Sequence, residues 1–168
     1  MKFRTSLFLP CLILSAAFSC RQMTEEDSAL AVVDSLSRLA EQKDLEGMMA
    51  LFADDFLDFE GRDKDALRSL LTGYLRGRTG IVIHRLSARI LTLENGYAEL
   101  EAEVALSSGG AEALRRLVRI SPDIYRIRTE LVKEEGIWKV SSAVWASIGL
   151  SEILPESRSA IKKLFPKL

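Results

Sequence analysis

Metal and redox chemistry have little to work with in this chain. It holds one histidine, His84, and two cysteines, Cys11 and Cys20, in 168 residues. An ordinary zinc site needs several nitrogen and sulfur ligands, so that class is excluded. The acidic stretch Asp54, Asp55, Asp58, Glu60, Asp63 and Asp65 is dense, but it lacks the alternating spacing of a calcium loop. It reads as a solvated bend. There is no Cys-x-x-Cys, no glycine-rich phosphate cradle and no Gly-x-Ser-x-Gly elbow, so no cofactor and no metal are expected. Basic and acidic residues balance at 23 against 24 and are interspersed, which argues against a nucleic-acid partner. Internal repeats and low-complexity linkers are also missing. No apolar run approaches the ~20 residues of a membrane-spanning helix.

The longest apolar run does have a reading. Lys2 and Arg4 form a short basic head, and residues 7–17 are almost wholly apolar. Small residues then lead to Ser19 and Cys20. This is the layout of a secretory signal peptide, to be left out of the fold. Ala17-Phe18-Ser19-Cys20 resembles a bacterial lipobox, in which the cysteine becomes the first mature residue and carries a lipid. Removal of Cys11 with the leader would leave Cys20 alone, a liability in an oxidising compartment that acylation removes. The expectation is therefore a leader over 1–19, lipid on Cys20 and a membrane partner reached through that lipid. Residues 20–23 would be a short tether. An aspartate after the lipidated cysteine resembles an inner-membrane retention signal, and Arg21 stands there instead. In a Gram-negative envelope the periplasmic face of the outer membrane would follow.

The mature part, ~150 residues, suffices for one domain. Thr24 followed by Glu25, Glu26 and Asp27 is a helix start. Ala29, Val32, Val33, Leu36 and Ala40 then recur at helical spacing. Asp44 caps a second short helix. Phe56–Phe59 reads as a short strand or extended bend, and Asp63 caps a third helix with the stripe Leu67, Leu70, Leu71, Tyr74 and Leu75. From Gly80 the period becomes two. Val82, His84, Leu86, Ala88 and Ile90 alternate with Ile83, Arg85, Ser87 and Arg89. Asn95-Gly96 signals a hairpin, and the next strand alternates Leu100, Ala102 and Val104 with Glu99, Glu101 and Glu103. Residues 111–119 look like a helical excursion. A third long strand places Tyr125, Ile127, Thr129 and Leu131 on one face, and a fourth follows Glu135-Gly136. Residues 149–168 are a tail with a short helix.

Helices followed by a meander give an α+β class. Alternation puts Val82, Leu86, Leu100, Val104, Ile127 and Val140 under the helices, and Arg85, Glu101 and Arg128 on the other face. That second face forms a charged ladder, whose plain reading is solvation. Its other reading is a surface for a homodimer or an assembly partner. Trp138 and Trp145 read as packing within the closing strand.

Three segments, residues 51–56, Gly61 and 136–140, together with the element order, resemble the nuclear transport factor 2-like superfamily, including its SnoaL-like members. The resemblance covers residues 24–148. It implies a cone, with N-terminal helices packed on a curved four- to five-stranded, mainly antiparallel sheet and a pocket at the wide end. It also implies a choice, because the superfamily holds isomerases, dehydratases and cyclases beside non-catalytic binding modules. The first reading is a membrane-anchored domain that binds a small apolar ligand through a pocket including Tyr74, His84, Tyr125 and Thr129, with no catalytic residue. The alternative is an isomerase or hydro-lyase using His84 with Asp58 or Tyr74 as an acid–base set.

Overall fold

Helix α1 begins where the sequence supplies a complete cap. In this computed structural model, which describes residues 23–77, 80–108 and 123–164, the Thr24 hydroxyl accepts from the Asp27 amide while the Asp27 side chain accepts from the Thr24 amide. This reciprocal box satisfies amides that the first helical turn leaves without partners. Helix α1 spans Glu25–Gln42 and ends at Lys43, whose φ of 56° turns the chain out of the helix. The Asp44 side chain caps α2 (Leu45–Ala50) by accepting from Gly47. A Cβ at Gly47 would stand 2.7 Å from Leu39 Cδ2, so glycine lets α2 fold back tightly on α1.

Strand β1 (Phe52–Asp58) starts four residues before the aromatic segment that announced it, and α3 (Lys64–Arg76) follows with Asp63 as its cap. Four long strands then run as β2 (Ile81–Glu94), β3 (Tyr97–Ser108), β4 (Asp123–Glu134) and β5 (Ile137–Ser147). They form an antiparallel meander, and β1 adds in parallel beside β5 to give the order β1-β5-β4-β3-β2. The turns come where glycine permits them, at Gly96 (φ 81°) and Gly136 (φ 84°). The α+β sheet has five strands and is mixed, mainly antiparallel as expected.

Register irregularities interrupt β1, β2 and the β4–β5 pair. Such bulges bend a strand and increase its twist, which curls the sheet round α1, α2 and α3. The main core lies in this concavity, with Phe56, Leu100, Leu131 and Val140 almost fully buried.

The tail holds α4 (Pro155–Leu164), which packs on the opposite face of the sheet. Ile153 and Ile161 form a second core there with Leu86, Ala105 and Ile124. Glu103, fully buried, accepts from Arg126 and from the Leu154 amide, and Arg126 also donates to the Glu152 carbonyl at 2.5 Å. The charged ladder is therefore solvated over only part of its length. A helical cover buries the rest.

The bulge between Arg85 and Ser87 corrects the expected facing of β2. Directly paired residues share a face. Arg85 pairs with Val104, on the helix side, and reaches Asp34 of α1 at 2.9 Å. His84 pairs with Ala105 and Val82 with Ser107, on the outer side, and Leu86 joins the outer core. Beyond the bulge Ala88 and Ile90 return to the inside, opposite Ala102 and Leu100. One extra residue reverses every side chain before it. The helical excursion expected over 111–119 lies outside the described residues, as do the leader and Cys20. Among the described residues no helix is long and apolar enough to cross a membrane.

Candidate functional site

The concavity is not filled by its own side chains. A cavity of about 400 Å³ remains between α1, α3 and the inner face of the sheet, a size ordinary for a small-molecule pocket. Val32, Val33, Leu36 and Ala40 line it from α1, and Leu67, Leu70, Leu71 and Tyr74 from α3. Both sets follow from amphipathic spacing. The sheet contributes Ile83, then Leu100, Ala102, Val104 and Leu106, and from β4 Tyr125, Ile127, Thr129 and Leu131. These alternate along their strands, as half-buried strands must. Strand β5 adds Val140, Ala143 and Trp145.

Exposure grades along the cavity. Leu100 and Leu131 at the narrow end are fully buried, whereas Leu70 and Tyr74 on α3 are partly exposed. Ile83, Leu106, Tyr125 and Trp145 are half-buried. The mouth therefore lies where β2 and β4 begin and β3 and β5 end.

The polar groups on the wall are few. Ser37 donates its hydroxyl to the Val33 carbonyl at 2.9 Å, within its own helix. Thr129 donates to the Ser142 carbonyl at 2.7 Å, across the sheet. Tyr74 and Tyr125 add two further hydroxyls. Among the described residues that line the cavity, none carries a formal charge.

Of the residues the sequence singles out, Tyr74, Tyr125 and Thr129 are brought together on this wall. His84 is not. The β2 bulge turns it to the outer face, on the side of Ala105, which corrects its expected place in the pocket. Asp58 stands at the end of β1 and does not line the cavity either. Its carboxylate accepts from the Glu60 and Arg62 amides at 2.9 Å each and from Arg62 Nε at 2.6 Å. Burial pushes this carboxyl up, but the Arg62 guanidinium and the two amides outweigh it and hold the group below the usual carboxylate range. An ionised, fully engaged carboxylate braces the β1–α3 turn. The set Asp58, His84 and Tyr74 is thus spread over three places.

The alternation pattern did not reveal two features of this wall. Trp145, expected to pack within the closing strand, lines the cavity, with Phe59 edge-on at 4.9 Å and Arg62 5.3 Å over its ring. Ile83 replaces His84 on the wall for the reason already given. An aromatic and a basic residue on one turn, Phe59 and Arg62, are the sequence feature that accompanies the first. No group of metal-ligating side chains occurs among the described residues.

No protein-family model matches the sequence, and no curated protein does. Solved structures match by shape. An NTF2-like protein of unknown function from Pseudomonas putida superposes with a TM-score of 0.61 at 16% identity, over 76% of this chain and 89% of the other. A candidate scytalone dehydratase from Novosphingobium aromaticivorans gives 0.60 at 17% identity, over 73% and 83%. Bd1075 of Bdellovibrio bacteriovorus gives 0.59 at 15% identity over 72% of this chain, which spans only 40% of that longer protein. Identities this low establish the fold alone. The fold is the NTF2-like cone that the sequence resembled.

Proposed function

We propose that this NTF2-like domain binds a small, uncharged, largely apolar molecule in its cavity, without catalysis, and is held at a membrane by a lipid on Cys20. The observation that carries the binding reading is the charge-free wall. An apolar cavity of ~150 Å³ stays dry and takes up benzene. A space of about 400 Å³ therefore has room for a ligand two to three times larger. Each Å² of ligand surface buried there contributes ~25 cal/mol, while an unpaired charge pushed into the same wall would cost several kcal/mol. The hydroxyl of Tyr125 offers a hydrogen bond to one polar group near the mouth.

Acid–base work needs a proton acceptor within hydrogen-bond reach of the substrate. The two candidates for that role lie elsewhere, Asp58 locked by Arg62 and His84 across the sheet. That favours binding over an isomerase or hydro-lyase. Pairing through the charged face has weaker support, because Arg89 meets Glu101 and Arg128 meets Glu99 within the chain.

The binding test uses the purified domain, solvent extraction and mass spectrometry, with the neutral dye N-phenyl-1-naphthylamine as a probe. Wild type should release an apolar compound and, once emptied, bind the dye. Ala102→Phe, which places a ring in the cavity, should do neither while remaining folded. Equal dye binding by both proteins would place the ligand elsewhere. The anchor is tested by labelling with a radioactive fatty acid, which should mark wild type and not Cys20→Ser. Label surviving in Cys20→Ser would remove the anchor from this reading.

A further inference from the structure

Two positions on this fold, the start of α1 and the cavity mouth, lie at opposite poles. Glu25, the first residue of α1, accepts from Lys133 Nζ at 2.7 Å, and the Lys133 amide donates to the Gly96 carbonyl at 2.9 Å. The β2–β3 and β4–β5 turns and the start of α1 therefore meet at one end. The mouth lies by Tyr125, at the other end of β4. Eight residues of strand separate Tyr125 from Lys133, which is ~26 Å at the usual rise.

Resting on the reading that Cys20 is acylated, we propose that the turn-bearing pole faces the anchoring bilayer and that the cavity opens away from it, so its ligand enters from the aqueous side. The short segment from Cys20 to Thr24 can span at most ~14 Å, which keeps this pole close to the lipid. Met23 of the tether is 61% exposed, and at the same pole Ile137 is 58% and Leu93 40% exposed. Comparable exposure occurs elsewhere, at Leu57 and Leu70 among others, so the tether decides the orientation, and a bilayer held close by it is the partner that would cover the three at this pole. Glu94 and Glu135 flank them, while Glu134 is paired with Lys139 at 2.6 Å; the two remaining carboxylates suit a zwitterionic surface better than an anionic one.

The orientation is read with single fluorophores. After leader removal and acylation of Cys20, an introduced cysteine would be the only thiol. Ile137→Cys reports the turn pole and Arg76→Cys, at the end of α3, reports the mouth. Asn95→Cys and Ser147→Cys form a second pair at the same two poles. The lipidated protein is placed in phosphatidylcholine vesicles that carry a quencher on the lipid headgroup. The turn-pole labels should lose most of their emission and the mouth labels should keep theirs. N-phenyl-1-naphthylamine should load the anchored protein within twofold of the rate for soluble Cys20→Ser. Quenching of the mouth labels to the same depth, or loading slowed tenfold by anchoring, would overturn the orientation while leaving the anchor standing. Failure of the wild-type protein to float with vesicles would instead overturn the anchor, and the orientation with it.

Discussion

The two faces of the sheet are made from alternate residues of the same strands, yet they do opposite work. Inside, Leu100, Ala102, Val104, Ile127 and Leu131 meet three helices and leave a space unfilled. Outside, Glu103 and Arg126 are bonded to the segment that leads into α4, and on the helix itself Ser157 is buried and bonded to Ser87 at 2.9 Å. Under α4 the polar face is closed, while the rest of its ladder meets water. Burial of polar groups is tolerable where every donor and acceptor is matched, whereas an apolar wall needs no matching and can stand open to a ligand. The outer face thus holds the C-terminal segment in place, and the inner face keeps room for a guest.

The largest expected effect breaks the floor of the inner face. Leu131 is fully buried at the narrow end. Leu131→Ala should cost about 3 kcal/mol or more through lost burial and residual cavity, read as a fall in the urea midpoint. Loss below 1 kcal/mol would mean that the floor is loose and that the cavity extends through it. Next comes the clamp on the outer face. Glu103→Ala leaves the Leu154 amide without its acceptor and Arg126 without its carboxylate. Breaking a buried pair costs ~3–5 kcal/mol. Arg126 can turn partly toward water, so about 2 to 3 kcal/mol is expected here. Limited proteolysis should release the tail of Glu103→Ala while dye binding inside stays unchanged. Dye binding lost together with the tail would show that the two faces are coupled.

The sequence disclosed the inner face better than the outer one. Alternation in β3 and β4 put Leu100, Val104, Ile127, Tyr125 and Thr129 on the correct side, because both strands pair residue for residue across ten positions. The hairpins were legible from Asn95-Gly96 and Glu135-Gly136, where a positive φ selects glycine. Strand β2 misled because its bulge carries Leu86, an apolar residue that continues the pattern it interrupts. Nothing in RLSAR marks the skipped step. The docking of α4 was hidden for a different reason. A glutamate in an alternating strand reads as solvent-facing whether or not a distant helix covers it, and the partners of Glu103 lie at Arg126 and Leu154. Long-range matching of this kind leaves no local trace.

A smaller effect belongs to the brace of the β1–α3 turn, the Asp58–Arg62 pair. Its folded-state carboxyl lies below the ordinary value. The contribution to stability is therefore full above the unfolded carboxylate value, near 3.8, and is lost as pH falls through the lower folded value. Hydrogen bonds to a charged group contribute ~1.5–3 kcal/mol. Asp58→Asn should thus cost about 1.5 kcal/mol at pH 7, and its stability should fall less steeply than that of wild type below about pH 4. Parallel acid-unfolding curves for the two proteins would show that the pair contributes nothing to the acid response. Because Arg62 also lies over Trp145, the emission of that wall tryptophan should shift in Asp58→Asn.

The smallest expected effect concerns His84, the residue on which binding and catalysis divide. The outer position opposite Ala105 separates its ring from the cavity by the thickness of the sheet. His84→Gln keeps a hydrogen-bonding side chain of similar reach, and one such bond is worth only ~1 kcal/mol. Dye affinity should stay within twofold of wild type, and the urea midpoint should move by less than that of Asp58→Asn. Were His84 a general base, the same change would remove ~100- to 10,000-fold of a rate. A cell carrying His84→Gln would then behave like a deletion strain despite normal levels of folded protein. The comparison of the two faces predicts the mild result, since a proton acceptor must share a face with its substrate. A deletion-like phenotype from stably folded His84→Gln would move the chemistry to the outer side, beside α4, and leave the inner cavity without its assigned role.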